Sequence, residues 1–247
     1  MMISKKKILI YSGILLLPVL LYRFSPRRIE FLGYYDKVLA HRVNSLGKLE
    51  SALPFFSGVE LDIDYLAKTN ILDVNHHPAK SINLSFETYL NHINTEILPF
   101  LWLDIKDLNA TNADAILLKL NTLFDAKHYP KDKVLIETQH PEALVKFIEE
   151  GYKTSYYIPP QLYKKDEKEL KNELIKIKLI LNRHPKMAIS TSILDYDIVS
   201  VNLPKKNKYI WSDASVYRIK YTKTKVVLKD DSVKKVLITF NSFRGNR

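Results

Sequence analysis

Val59-Glu60-Leu61-Asp62-Ile63-Asp64-Tyr65 is the stretch on which the reading of this chain turns. Acidic and aliphatic residues alternate in it with a period of two. An extended strand therefore sends Glu60, Asp62 and Asp64 to one side and Val59, Leu61 and Ile63 to the other. Leu101-Trp102-Leu103-Asp104-Ile105-Lys106 repeats the design, with Asp104 and Lys106 on one face and Leu103 and Ile105 opposite. The aliphatic faces suit contact with covering helices. The charged faces need a separate destination, because unpaired charge is costly to bury. A barrel of parallel strands supplies one at the C-terminal ends of its strands, where such folds carry their active sites.

The flanking sequence agrees. Val38 to Arg42 reads as a first strand ending in His41 and Arg42, and a helical stretch, Leu46 to Phe56, leads into the strand that carries Glu60. Ile71 to His77 is extended again, but only about five residues separate it from the strand before, too few for a parallel crossover, so this pair should be an antiparallel hairpin. Phe100 to Lys106, Val134 to Thr138, Lys153 to Ile158, Met187 to Thr191, Lys208 to Ser212 and Val236 to Phe240 read as further strands. Thr111-x-x-Asp114 has the form of a capping box opening a helix through Phe124. Pro141 suits a first helical position and Gly151 a helix end. Asp166 to Arg183 is amphipathic, with Leu170, Leu174, Ile177 and Leu181 in helical spacing. Eight strands plus a hairpin after the second predict an α/β chain with a (β/α)8 barrel, a fold usually about 250 residues long. Val216 to Leu228 alternates more like strand than helix, and a doubly wound sheet is the competing topology.

The 247 residues suffice for one large domain or two small ones. There is no cysteine, which excludes disulfides, thiol nucleophiles and cysteine-ligated metals. The net charge of +11 suits an anionic surface or a phosphorylated substrate, although the lysines are scattered throughout. No nucleic-acid module is present, and no nucleic-acid partner is expected. Residues 1–30 read as a unit apart from the barrel domain, 31–247. Lys5, Lys6 and Lys7 precede an apolar run from Ile8 to Tyr22, and Arg23, Arg27 and Arg28 follow it. No small-residue cleavage site follows the run, so the expectation is one uncleaved membrane helix rather than a signal peptide. The flanking charges lean only slightly towards an exported, extracytoplasmic catalytic domain.

Crowded carboxylates repel one another unless a hard cation lies between them, and oxygen ligands suit Mg²⁺ or Ca²⁺. Such an ion would neutralise phosphate charge, two histidines could move protons, and a lysine could hold a phosphate oxygen. Each signal has a blander reading: a lone histidine on the surface, an edge-strand E-x-D, a D-x-K ion pair. Together they favour a metal-binding barrel site, without reaching a substrate.

Ala40-His41-Arg42, Glu60-Leu61-Asp62, Asn75-His76-His77-Pro78 and Leu103-Asp104-Ile105-Lys106 resemble the motifs of a phosphodiesterase superfamily. That superfamily includes glycerophosphodiester phosphodiesterases, venom-type sphingomyelinase D and the menorin group. The likeness is good from Val38 to Lys106 and looser beyond, and the P-E-N-T-like segment of the glycerophosphodiester enzymes is absent. The resemblance implies a metal-dependent phosphoric diester hydrolase acting on a glycerophosphodiester or lysophospholipid-type headgroup. Carried over, Glu60, Asp62 and Asp104 are the ligands of Mg²⁺ or Ca²⁺, His41 and His77 the acid and base, and Lys106 and Arg42 the phosphate contacts. His77 is preferred to His76 because continued alternation puts Asp73, Asn75 and His77 on one face. Asp64 is expected to support the hairpin, and Trp211 to line the pocket or pack in the barrel. A catalytically silent, membrane-anchored binding protein is the alternative. A glycoside hydrolase using Glu60 and Asp104 ranks below both, since it leaves the histidines and Lys106 idle.

Overall fold

The alternating stretch does form a strand, β2, from Gly58 to Leu66, with Val59, Leu61 and Ile63 fully buried. In this computed structural model the described residues are 14, 16–18, 22, 25–94, 96, 98–215 and 222–240, without the side chains of 213–215. The other strands are β1 (Val38–His41), β3 (Ile71–Val74), β4 (Phe100–Ile105), β5 (Val134–Thr138), β6 (Lys153–Tyr157), β7 (Ala188–Ser192), β8 (Lys208–Ser215) and β9 (Val233–Thr239). All but β3 run parallel to their neighbours, and β1 pairs with both β9 and β2, so the sheet closes into an eight-stave barrel. Closure excludes the doubly wound sheet. β3 lies antiparallel on β2, with Ile63 opposite Val74 and Asp64 opposite Asp73, outside the staves. The short connection before it allows nothing else.

The helices are α1 (Leu46–Ala52), α2 (Phe86–Asn91), α3 (Ala113–Ala126), α4 (Val145–Glu149), α5 (Glu167–Arg183), α6 (Tyr196–Asn202) and α7 (Thr222–Leu228). Ser45, Ser85 and Asp166 cap α1, α2 and α5 by accepting the amide of the residue three positions on. Two packed regions result. Outward residues such as Ala40, Leu61, Leu103 and Ile136 meet the helices, while Leu39, Phe100, Trp102, Leu135, Ala188, Tyr209 and Leu237 fill the barrel. Trp102 and Tyr209 meet edge to face at 5.4 Å in that plug. The plug occupies the lower barrel and leaves the upper barrel to polar side chains.

Some expectations change. β3 stops at Val74, so the alternation projected to His77 does not continue. The Thr111–Asp114 capping box does not form: α3 begins at Ala113, and the Thr111 hydroxyl instead donates to Asn109 Oδ1. The strand-like pattern before Leu228 ends in a helix, α7, because the buried positions Thr224, Val227 and Leu228 follow helical spacing. The expected membrane helix, Ile8 to Tyr22, falls mostly outside the described residues. Among those described, no helix is long and apolar enough to cross a membrane.

Candidate active site

Parallel register brings distant acids level. β2 and β4 pair Asp62 with Asp104, and β4 and β5 pair Asp104 with Glu137. At the C-terminal mouth, one carboxylate oxygen from each of Glu60, Asp62 and Asp104 lies within 4.8 Å of the others. Glu60 and Asp62 are 2% exposed, so their charges have little water to rely on.

Each carboxylate is held from its own side. The Arg42 amide donates to Glu60 Oε2 at 2.6 Å, from a residue in the left-handed region (φ 54°) at the end of β1. Asn44 grips Asp62 twice: its side-chain amide donates to Oδ2 at 2.7 Å, and its oxygen accepts the Asp62 amide at 3.0 Å. Lys106 lies 3.0 Å from Asp62 Oδ1 and also contacts Asp104 Oδ2. Burial first, and then repulsion from Asp62 and Asp104, hold Glu60 well above the ordinary carboxylate range. Asp104 is likewise raised, by burial first and then by Asp62. Burial pushes Asp62 up as well, but Lys106, Asn44 and His76 together bring it below its usual value. Three inward carboxylates that repel one another are a donor set suited to a hard divalent cation, and the Lys106 ammonium between Asp62 and Asp104 offsets part of their charge.

Two histidines flank the acids. His41 Nε2 is 3.6 Å from Glu60 Oε2. Burial, helped by the Arg42 charge, lowers its pKa to about 3, which keeps the ring neutral. His76 Nδ1 is bonded to Asp62 Oδ1 at 2.8 Å. His77 is exposed. The structure thus brings His76, rather than His77, to the acids. The Asn75 amide still donates to the Asp62 carbonyl across from it, but past Asn75 the chain turns away and strand parity loses its meaning. Asp64 takes the expected supporting place, accepting the Asn75 side-chain amide at 2.9 Å.

The cleft over the acids is lined by Arg42, Lys106, Glu137, Tyr157 and Trp211 as well. Tyr157 and Trp211 meet edge to face at 6.2 Å. Glu137, Tyr157 and Asn44 are site residues that the sequence reading did not select. Glu137 left a signal, a lone acid in an otherwise apolar strand. It is 4% exposed, and Oε2 has no hydrogen-bond partner. Burial and then Asp104 raise its pKa strongly.

The class these features define is a (β/α)8 barrel with a buried acidic mouth between two histidines. Solved phosphodiesterase structures share the barrel. A glycerophosphodiester phosphodiesterase from Parabacteroides distasonis superposes with a TM-score of 0.57 at 16% identity, over 82% of this chain and 92% of that one. A phosphodiesterase from Oleispira antarctica, in complex with the product sn-glycerol-3-phosphate, gives 0.56 at 13% identity, over 86% and 96%. At such identities the likeness establishes the fold. No family model matches the chain, and no curated protein does.

Proposed function

We propose that the chain is a metal-dependent phosphoric diester hydrolase, with a glycerophosphodiester or lysophospholipid-type headgroup as substrate. The observation that carries this reading is the convergence of Glu60, Asp62 and Asp104 at one mouth, with His41 beside Glu60 and His76 bonded to Asp62. The barrel it shares with glycerophosphodiester phosphodiesterases supports it, as does the product held by the Oleispira protein.

Glu60, Asp62 and Asp104 would hold Mg²⁺ or Ca²⁺. When bound, the ion supplies charge neutralisation and Lewis acidity at the phosphoryl group. The remaining work falls to side chains of the chain itself. Lys106 holds a phosphate oxygen, and Arg42, at the rim, pairs with another. His41 is neutral and can accept a proton from the attacking oxygen. The His76 ring is oriented by Asp62 through Nδ1, which leaves Nε2 to exchange a proton with the leaving oxygen. A silent binding barrel would not need both histidines beside the acids, and a glycoside hydrolase would leave them idle.

The purified chain should hydrolyse bis(p-nitrophenyl) phosphate or glycerophosphocholine with Mg²⁺ or Ca²⁺, and EDTA should abolish the reaction. Full activity in His41→Ala would remove the mechanism. We further propose that the Ile8–Tyr22 run tethers the domain to a membrane, with the catalytic barrel outside the cytoplasm. Sequence alone supports that part; carbonate extraction of membranes tests the tether, and digestion of the barrel by protease added outside intact cells tests its side.

A further inference from the structure

The end of the barrel opposite the acidic mouth carries a second and larger cavity, about 580 Å³ against about 90 Å³ at the mouth. Phe100, Ala188 and Tyr209, the underside of the inner plug, form its floor. Its rim carries Lys153, Lys186, Lys234 and Lys235, and no aspartate or glutamate lines it. Lys235 lies 4.8 Å above the Phe100 ring and donates to the Asp36 carbonyl at 2.6 Å. Lys153 and Lys186 have no acidic partner among the described residues. Thr154, 4% exposed, lines the same cavity with its hydroxyl unpartnered.

Nothing in the proposed chemistry uses this end. The base of such a barrel ordinarily serves stability, and gathered ammonium groups oppose stability unless an anion accompanies them. The chain also enters the barrel here, through the turns Ile29–Phe31 and Tyr35–Lys37 that precede β1. Apolar side chains stand in water in and beside that entry: Ile29 at 66%, Leu32 at 70% and Phe55 at 41% exposure, the last beneath Arg27. Upstream in the sequence lies the apolar run Ile8 to Tyr22. Ammonium groups and exposed aliphatic and aromatic residues at one end of a barrel suit the headgroup layer of an anionic bilayer.

We propose that the base of the barrel docks on an anionic lipid surface, so that the acidic mouth faces away into water. If the phosphodiesterase reading holds, substrate reaches the mouth from the aqueous side, which favours soluble diesters over intact lipids of the docked bilayer.

The absence of native cysteine allows single-site labelling. A polarity-sensitive fluorophore is placed on full-length Asn207→Cys at the base rim, or on Leu194→Cys in the loop after β7 at the mouth end. Vesicles are phosphatidylcholine alone or mixed with phosphatidylglycerol. The Asn207 label should shift to the blue on the anionic vesicles, and the Leu194 label should not. Lys153, Lys186 and Lys234 are exposed, so a K153Q/K186Q/K234Q variant should still fold. It should lose at least about tenfold of the anionic-over-neutral binding ratio, since each basic residue near such a surface contributes about fivefold. Hydrolysis of a soluble diester should be unchanged. A blue shift at Leu194, or a binding ratio untouched by the triple substitution, overturns the proposal. So does pyrophosphate binding at the lysines without vesicle binding, which would mark a free-anion site. Loss of hydrolysis in the parent protein would instead count against the phosphodiesterase reading and leave the docking result standing.

Discussion

His76 reaches the acids because the strand before it stops at Val74, and the turn, not the pleat, aims its ring at Asp62. His76→Ala should therefore lower kcat/KM by roughly a hundredfold or more, the usual scale of a lost acid–base group. His77→Ala should stay within about threefold on the same scale. Steady-state kinetics on glycerophosphocholine decide it, and the reverse ranking would restore the strand-parity reading. Glu60, Asp62, Asp104 and Lys106 were legible in the sequence because two aliphatic strands carry charge on one face only, and both patterns recur together with the histidine motifs. Asn44 and Tyr157 were not, because a polar or aromatic residue near a strand end is ordinary until a fold brings it beside a carboxylate. Glu137 is the one charge in β5 and shares its face with Leu135, so no alternation of charge marked it. His41 carries a pH consequence. Its pKa is depressed to about 3 by burial and Arg42, so between about pH 6.5 and 3 the unfolded chain binds the extra proton. Its contribution to stability is complete above that window and is lost as pH falls through it.

At the scale of elements, the strands and the long amphipathic helix were readable, as was the short α1 between two strand signals, while two other short helices were not. β5 falls at Val134–Thr138 and α5 follows its Asp166 cap, as the pattern predicts. The six-residue α2 and seven-residue α6 escaped notice because each shows fewer than two full turns of pattern. Gly58 opens β2 for a packing reason the sequence does not announce. A Cβ built there would lie 2.2 Å from the Phe100 carbonyl oxygen, a backbone atom of the paired strand that cannot swing aside. Gly58→Ala should destabilise the barrel by about 1–3 kcal/mol, the cost typical of overpacking. Urea unfolding measures it, and an unchanged midpoint would show that β2 and β4 separate freely at their starts.

Over the whole molecule, the barrel was legible because eight strand signals were spaced for crossovers, whereas the helical pattern of α7 was masked by an alternating approach to it. The closed barrel separates an acidic mouth from a basic base. The acidic end links pH to cation binding. Glu60 and Glu137 have raised pKa values through burial and neighbouring carboxylates. Without a cation, the folded state holds protons that the unfolded chain has released, so their contribution to stability is full at acid pH and falls as pH rises. A bound cation needs Glu60 deprotonated, so the rise in Tm on adding Mg²⁺ or Ca²⁺ should be larger at about pH 8 than at about pH 5.5. Calorimetric scans at both values check this, and a larger rise in acid would contradict it.

The proposed hydrolase needs one divalent ion among the three acids of β2 and β4. Anomalous diffraction from crystals soaked in Mn²⁺ locates such an ion. One strong peak is expected within bonding distance of Glu60, Asp62 and Asp104, with the Lys106 ammonium displaced from between Asp62 and Asp104. A mouth without a peak at saturating Mn²⁺, with Lys106 still bridging the two aspartates, would rule the metal site out.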